Sequence, residues 1–204
     1  MPRPLIIACA ALTADLRAVL GASAFAEHLE ITYLPAKLHN RPEQIVPAIE
    51  PLLTAAVASQ RPVFVAFADC GTGGQLDTLL ARYPDVQRLP GAHCYQFFAG
   101  SALFAELHDE QPGTFYLTDF LAKHFQALVW QGLGLDRAPQ LRDLYFGNYT
   151  RVVLLSQTHD PAVTQQAQHA AQRLGLAFEH RFVGRAGLSA PLIEWSVSLR
   201  KVAA

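Results

Sequence analysis

An α/β fold, with a mostly parallel sheet carrying helices on both faces, follows from three observations. Short apolar runs alternate with longer stretches of helical spacing. The runs at 5–8, 62–68 and 151–155 are apolar almost throughout, as strands buried on both faces require. Gly, Pro and Asn punctuate the boundaries between segments.

Leu5 to Ala8 reads as the first strand, and Thr13 caps a helix that ends before Gly21. Ile31 to Leu34 is the second strand. Asn40-Arg41-Pro42-Glu43 has the cap, early proline and acidic first turn of a helix start, and Ile45, Ala48, Ile49, Leu52 and Leu53 follow helical spacing, with Pro47 and Pro51 as expected kinks. Pro62 to Ala68 is the clearest strand; the turn Asp69 to Gly74 and a helix from Gln75 to Arg82 follow it. After the Arg88-Leu89-Pro90-Gly91 turn, an aromatic-rich helix starts near His93. Thr114 to Leu117 reads as a strand, with Thr118 capping a helix that runs to Gln131 and stops at Gly132 and Gly134. A short helix over 139–145, a strand over 151–155, a helix through Arg173 capped by Thr158 or Asp160, and a strand from Ala177 to Val183 complete the alternation. From Gly184 onward the sequence reads as irregular, with at most one helical turn. The expected arrangement is doubly wound and Rossmann-like.

The chain has 204 residues, enough for one α/β domain over 1–204 or for two fused halves meeting near 110–113. Half of it (51%) is apolar and 16% is charged, against a usual share of about 25%, which excludes a disordered chain. The formal net charge of −1 gives no general attraction to nucleic acid or to an anionic membrane surface. No apolar run approaches the roughly 20 residues of a membrane span. The segment before Cys9 imitates a lipoprotein cleavage site but is too short for a signal peptide, and its residues suit a buried strand. Three cysteines cannot pair evenly, so a reducing, cytoplasmic setting is expected.

Ligands of open parallel sheets bind beyond the carboxyl ends of the strands. Cys9 ends the first predicted strand, His39 follows the second, and Asp69-Cys70 ends the third, while His93-Cys94 opens a helix after a Pro-Gly turn. Cys9, Cys70 and Cys94 with His39 or His93 offer the donors of a zinc site with an open position for chemistry. The same three thiolates could instead hold an iron–sulfur cluster with one iron free. The spacing is not diagnostic, because no C-x-x-C pair is present, and free cysteines are most often simply buried. Cys70 also stands near a helix start, where a thiolate is stabilised; with His39 or His93 as base it would be a nucleophile. Gly71, Thr72, Gly73 and Gly74 form a candidate anion cradle that lacks the endings of nucleotide-binding loops. Gln157, next to a buried strand, is a candidate substrate contact. Asp119 suits a helix N-terminus better than acid–base work.

Together these segments resemble a known family. They are Ile7-Ala8-Cys9, Leu34-Pro35 with Leu38-His39, Asp69 to Gly74, Arg88 to Tyr95, Pro112 to Phe120 and Gly147-Asn148-Tyr149. The chain resembles DUF1638, a bacterial and archaeal domain of unknown function, over about residues 4–190. The resemblance implies a small cytoplasmic protein in the company of corrinoid-dependent methyl-transfer systems, hence one-carbon metabolism and a corrinoid or methyltransferase partner. It places Cys9, His39, Cys70 and Cys94 in shared motifs. Gln96 stands where the family pattern leads one to expect Glu, and Ala10 where Gly is expected, so no acid role is expected at 96. The expected function is a metal-dependent enzyme, with zinc or alternatively an iron–sulfur cluster, acting on a small anionic substrate. The alternative is a non-catalytic accessory of such a methyltransferase, and a homo-oligomer is compatible with either.

Overall fold

A computed structural model describes residues 2–21 and 24–203. The chain divides into two compact units, Met1–Phe97 with Arg185–Ala204 and Phe98–Gly184, each built on its own parallel sheet. The α/β alternation therefore encodes two sheets, and the division falls at Phe97/Phe98, ahead of the Pro112-Gly113 turn.

In the first unit, β1 (Leu5–Cys9) and β3 (Val63–Ala66) are buried throughout, as their apolar runs require. β2 (Glu30–Leu34) alternates polar and apolar residues and lies half-buried at the edge. β4 (Gln87–Arg88) is only two residues long. The order is β2-β1-β3-β4 and every pairing is parallel, with Ala8 opposite both Tyr33 and Ala66. Thr13 opens α1 (Thr13–Leu20), and its hydroxyl donates to the Ala10 carbonyl at 2.8 Å. α2 (Ile45–Ala58) follows a 3-10 turn, Pro42–Gln44, and buries Ile45, Ile49, Leu53 and Ala56 on one face. Pro51 lies inside α2 and Pro47 in its first turn, where no backbone N–H is needed. α3 (Gln75–Leu80) is short, and α4 (Cys94–Ala99) carries the division between the units.

The second unit begins with α5 (Ser101–Glu110), separated from α4 by Gly100 at φ +77°. β5 (Thr114–Thr118), β6 (Arg151–Ser156) and β7 (Ala177–Phe182) pair in that order, all parallel, with Thr118 opposite Leu155 and Leu155 opposite Arg181. The Thr118 hydroxyl accepts from Leu121 N at 3.3 Å and so caps α6 (Asp119–Lys123). A π-helical turn, Gln126–Gln131, and α7 (Leu141–Phe146) follow. α8 (Pro161–Leu174) is capped by Asp160, whose carboxylate accepts from Ala162 N at 3.0 Å, and it ends at left-handed Gly175. The core of this unit gathers Leu117, Phe125, Val129, Leu135, Phe146, Val152, Leu154 and Ala167. At the amino end of its sheet Arg151 donates to Thr114 Oγ1 and the Leu107 carbonyl, both at 2.9 Å, and pairs with Glu179 at 2.7 Å.

The segment expected to be irregular is α9 (Ala186–Ala203), which belongs to the first unit. Gly187 and Pro191 weaken its local helical signal. Burial supplies what propensity lacks: Leu188, Leu192 and Trp195, spaced four and three apart, are buried, and Trp195 lies 5.4 Å from Phe64, centroid to centroid. Arg185 Nε donates to the buried Asp15 Oδ1 at 2.7 Å and fixes the start of the helix. Among the described residues no helix is long and apolar enough to cross a membrane.

Candidate functional site

Because the four strands of the first unit run parallel, their carboxyl ends share one edge. Each strand delivers a chemically distinctive residue to that edge. Cys9 is the last residue of β1, and a 3-10 turn, Ala36–Asn40, carries His39 beyond β2. Asp69 and Cys70 follow β3, and His93 and Cys94 follow β4. Two backbone bonds join the last two loops: Asp69 N donates to Gly91 O at 3.1 Å and Cys70 N to Ala92 O at 2.7 Å. Arg88 fixes the second loop by donating to the Leu89 and Gly91 carbonyls (2.7 and 3.2 Å), while its other nitrogens clamp the Asp77 carboxylate at 2.6 and 2.9 Å.

All three cysteines are free thiols. Burial pushes the Cys9 thiol up to about 11, against the opposing pull of Ala11 N–H, which donates to Sγ at 3.3 Å. Burial pushes Cys70 up to about 12, with charge on Cys9 and on Asp69 adding to the rise. Cys94 is raised by burial first, then by charge on Cys70 and Cys9. Cys9 thus bears on Cys70, and both bear on Cys94, while Cys9 itself is raised by burial alone. The depressed pKa expected for Cys70 at a helix start is not found. α3 begins only at Gln75, and the N–H groups between are turned elsewhere.

They are turned onto Asp69. Its carboxylate accepts from Thr72 Oγ1 at 2.5 Å, Gly74 N at 2.8 Å and Gly73 N at 3.1 Å. Desolvation opposes the ionised form, but these bonds and one from Gly71 hold Asp69 below the usual carboxylate range. The Gly71–Gly74 turn does cradle an anion, and that anion is the chain's own carboxylate. Gly71, Gly73 and Gly74 all have positive φ, and so does Cys70, at +52°, where a residue with a side chain is strained. Asp69 and Arg88 escape a motif search aimed at ligands. The signal that finds Asp69 is an Asx residue opening a glycine-rich turn.

His39 Nδ1 donates to the Ala36 carbonyl at 3.0 Å and stands 3.9 Å from Cys9 Sγ. The bond to Ala36 selects the tautomer that leaves the lone pair on Nε2. The ring stacks near Phe67, at 6.3 Å and 11°. Surrounding protein lowers its pKa, against the Ala36 bond, although one side of the residue reaches solvent. His39 therefore neighbours Cys9, whereas the thiol-plus-base reading needs a base beside Cys70. His93 packs against Tyr95, with 5.1 Å between centroids. Among the described residues no three His, Cys, Asp or Glu side chains already converge as a metal-holding group.

Gln157 belongs to the second unit, where it is buried. Its Oε1 accepts from Asp119 N at 3.0 Å and its Nε2 donates to Leu155 O at 2.6 Å. Those bonds join β6 to the start of α6, an internal structural use. Asp119 accepts from Gln157 N at 3.0 Å and from the Thr158 hydroxyl at 2.5 Å.

A family model described as "Protein of unknown function (DUF1638)" matches residues 33–190, which include His39, Cys70, His93 and Cys94 but not Cys9. No curated protein and no solved structure matches the chain.

Proposed function

The chain belongs to the DUF1638 family, and from that premise we propose that the carboxyl edge of the first unit is a thiolate-rich metal centre of a metal-dependent enzyme. The observation that carries the reading is that parallel strands deliver Cys9, Cys70 and Cys94 to one sheet edge, with the Cys70 loop bonded to the loop before Cys94 and His39 Nδ1 3.9 Å from Cys9 Sγ. A divalent cation that replaced the three protons would offset the charge repulsion that neighbouring thiolates otherwise meet. The donor types suit zinc: three sulfurs and one neutral imidazole, whose Nδ1, the nitrogen 3.9 Å from Cys9, is bonded to the Ala36 carbonyl, so that Nε2 would be the ligand once the ring turns. Cys9, Cys70, Cys94 and His39 would hold the ion, with His93 the alternative imidazole, and binding requires the side chains to rotate from their present positions. Bound zinc would supply a Lewis acid that activates water, a thiol or a substrate carbonyl.

The residues around it have their own tasks. Arg88 and the 91–92 backbone hold the Cys70 and Cys94 loops together. Cys9 is buried at the end of β1, and Phe67 stacks near the His39 ring. An anionic substrate draws no support from Gly71, Thr72, Gly73 and Gly74, whose donors are spent on Asp69, nor from Gln157, whose amide is bonded to Asp119 N and Leu155 O. Methyl transfer to or from a thiolate is the reaction class this centre suits.

Cobalt(II) reconstitution tests the proposal. A tetrahedral sulfur-rich site turns the protein intensely blue-green, and the band weakens in Cys9→Ser, Cys70→Ser and Cys94→Ser alike. A six-coordinate, pale spectrum indifferent to these substitutions would refute it. Brown colour and acid-labile sulfide in protein purified without air would assign the same thiolates to an iron–sulfur cluster instead.

A further inference from the structure

We infer that Asp69 is the positioning residue of this centre: by folding its carboxylate into the 71–74 turn it holds Cys70 in the left-handed conformation that delivers its thiol to the shared edge. The inference rests on the reading of that edge as a thiol site. Cys70 sits at φ +52°, a conformation that strains a non-glycine residue and persists only where surrounding contacts over-determine it. Two sets of contacts do so here. On the amino side, Asp69 N and Cys70 N are tied to the carbonyls of Gly91 and Ala92. On the carboxyl side, the Asp69 carboxylate gathers Thr72 Oγ1, Gly73 N and Gly74 N, closing the loop immediately after Cys70.

The turn has little freedom to adjust. Thr72 is buried, and its hydroxyl also accepts from Leu76 N at 3.3 Å, which ties the clamp to the first turn of α3. A side chain at Gly71 would meet Pro42 Cβ at 3.3 Å. Without the carboxylate the Thr72 hydroxyl and the glycine N–H groups of the turn lose their acceptor, leaving the backbone bond from Thr72 N to Asp69 O at 3.1 Å to hold Cys70 left-handed from the carboxyl side. Cys9 ends β1, and the loop before Cys94 is also held by Arg88 through the Leu89 and Gly91 carbonyls, so both would keep their positions. Asp69 therefore acts on one thiol of the three.

That selectivity is the test. Asp69→Ala and Asp69→Asn are compared with the parent in two measurements. The first is zinc affinity, by competition with a chromophoric chelator. The second is the iodoacetamide alkylation rate of each cysteine in the reduced, zinc-free protein, read by mass spectrometry. Asp69→Ala should lose about 10- to 100-fold in zinc affinity, the usual range for a group that orients a metal ligand. Its Cys70 should alkylate several-fold faster while Cys9 and Cys94 keep their rates. Asp69→Asn, whose amide oxygen still accepts from Thr72 and Gly74, should fall between. Unchanged affinity with unchanged Cys70 reactivity would overturn the inference, and so would equal acceleration at all three thiols, which marks general loosening. Should the parent itself take up no zinc, the metal reading fails, while the alkylation pattern still decides the role of Asp69.

Discussion

Asp119 and Gln157 hold each other by two reciprocal bonds: the Asp119 backbone N–H donates to the Gln157 side-chain oxygen, and the Gln157 backbone N–H to the Asp119 carboxylate, both at 3.0 Å. Both side chains are buried at the carboxyl ends of β5 and β6. Replacing the amide with an apolar group of similar size leaves a buried N–H without its acceptor, which costs about 1–3 kcal/mol. Gln157→Leu should therefore lower the urea-unfolding free energy by that amount while leaving zinc affinity unchanged. A loss of zinc binding with no loss of stability would return Gln157 to the site.

Trp195 anchors α9. It is fully buried against Phe64, and truncating a buried aromatic residue costs about 3–5 kcal/mol. Trp195→Ala should show that loss in denaturant unfolding and should open the 186–199 segment to proteolysis. A change below about 1 kcal/mol would mean that the helix is held by other contacts.

The thiols give a pH signature in metal-free protein. Cys9 and Cys70 rise from an ordinary 9.0 to about 11 and about 12, so the fold favours their protonated forms. Between those limits the unfolded chain binds fewer protons than the native one, and stability falls with rising pH. The contribution is complete below pH 9.0 and is lost as pH climbs through about 11 to 12. Alkylation of these thiols should stay slow at neutral pH and rise about tenfold per unit towards those values, since only the thiolate reacts. Fast alkylation of Cys70 at neutral pH would instead restore it as an activated nucleophile.

His39 works in the opposite direction. Desolvation by the protein packed around the ring lowers its pKa from 6.5, against the bond to Ala36, although the residue is partly exposed, so the fold favours the neutral ring. The unfolded chain takes up the proton first, and stability contributed by His39 is lost as pH falls below 6.5 through the native value. His39→Gln should flatten that part of the acid limb of a stability–pH profile measured without metal. An unaltered limb would show that the ring is not held neutral.

Local pattern made β1, β3 and β6 readable, because a strand buried on both faces must be apolar along its length. β4 has two residues, Gln87 and Arg88, and carries no pattern to read; its pairing with Phe64 and Val65 is tertiary. α9 was hidden by Gly187 and Pro191 and exists through Trp195 and Leu192 packing on the first unit. The aromatic segment after His93 is two helices, broken where Gly100 takes a positive φ. At the site, the strand ends placed Cys9, His39, Cys70 and Cys94 on one edge, because parallel topology fixes where strands stop. What sequence spacing could not convey was that a neighbouring carboxylate, Asp69, fills the glycine-rich turn before any ligand can.

The most direct measurement is metal and acid-labile sulfide content of protein purified without exposure to air, for the parent chain and for Cys70→Ser. Near one equivalent of zinc in the parent, no sulfide, and a marked loss in Cys70→Ser is the predicted result. Less than about half an equivalent of any transition metal, unaltered in Cys70→Ser, would contradict a metal centre on this edge.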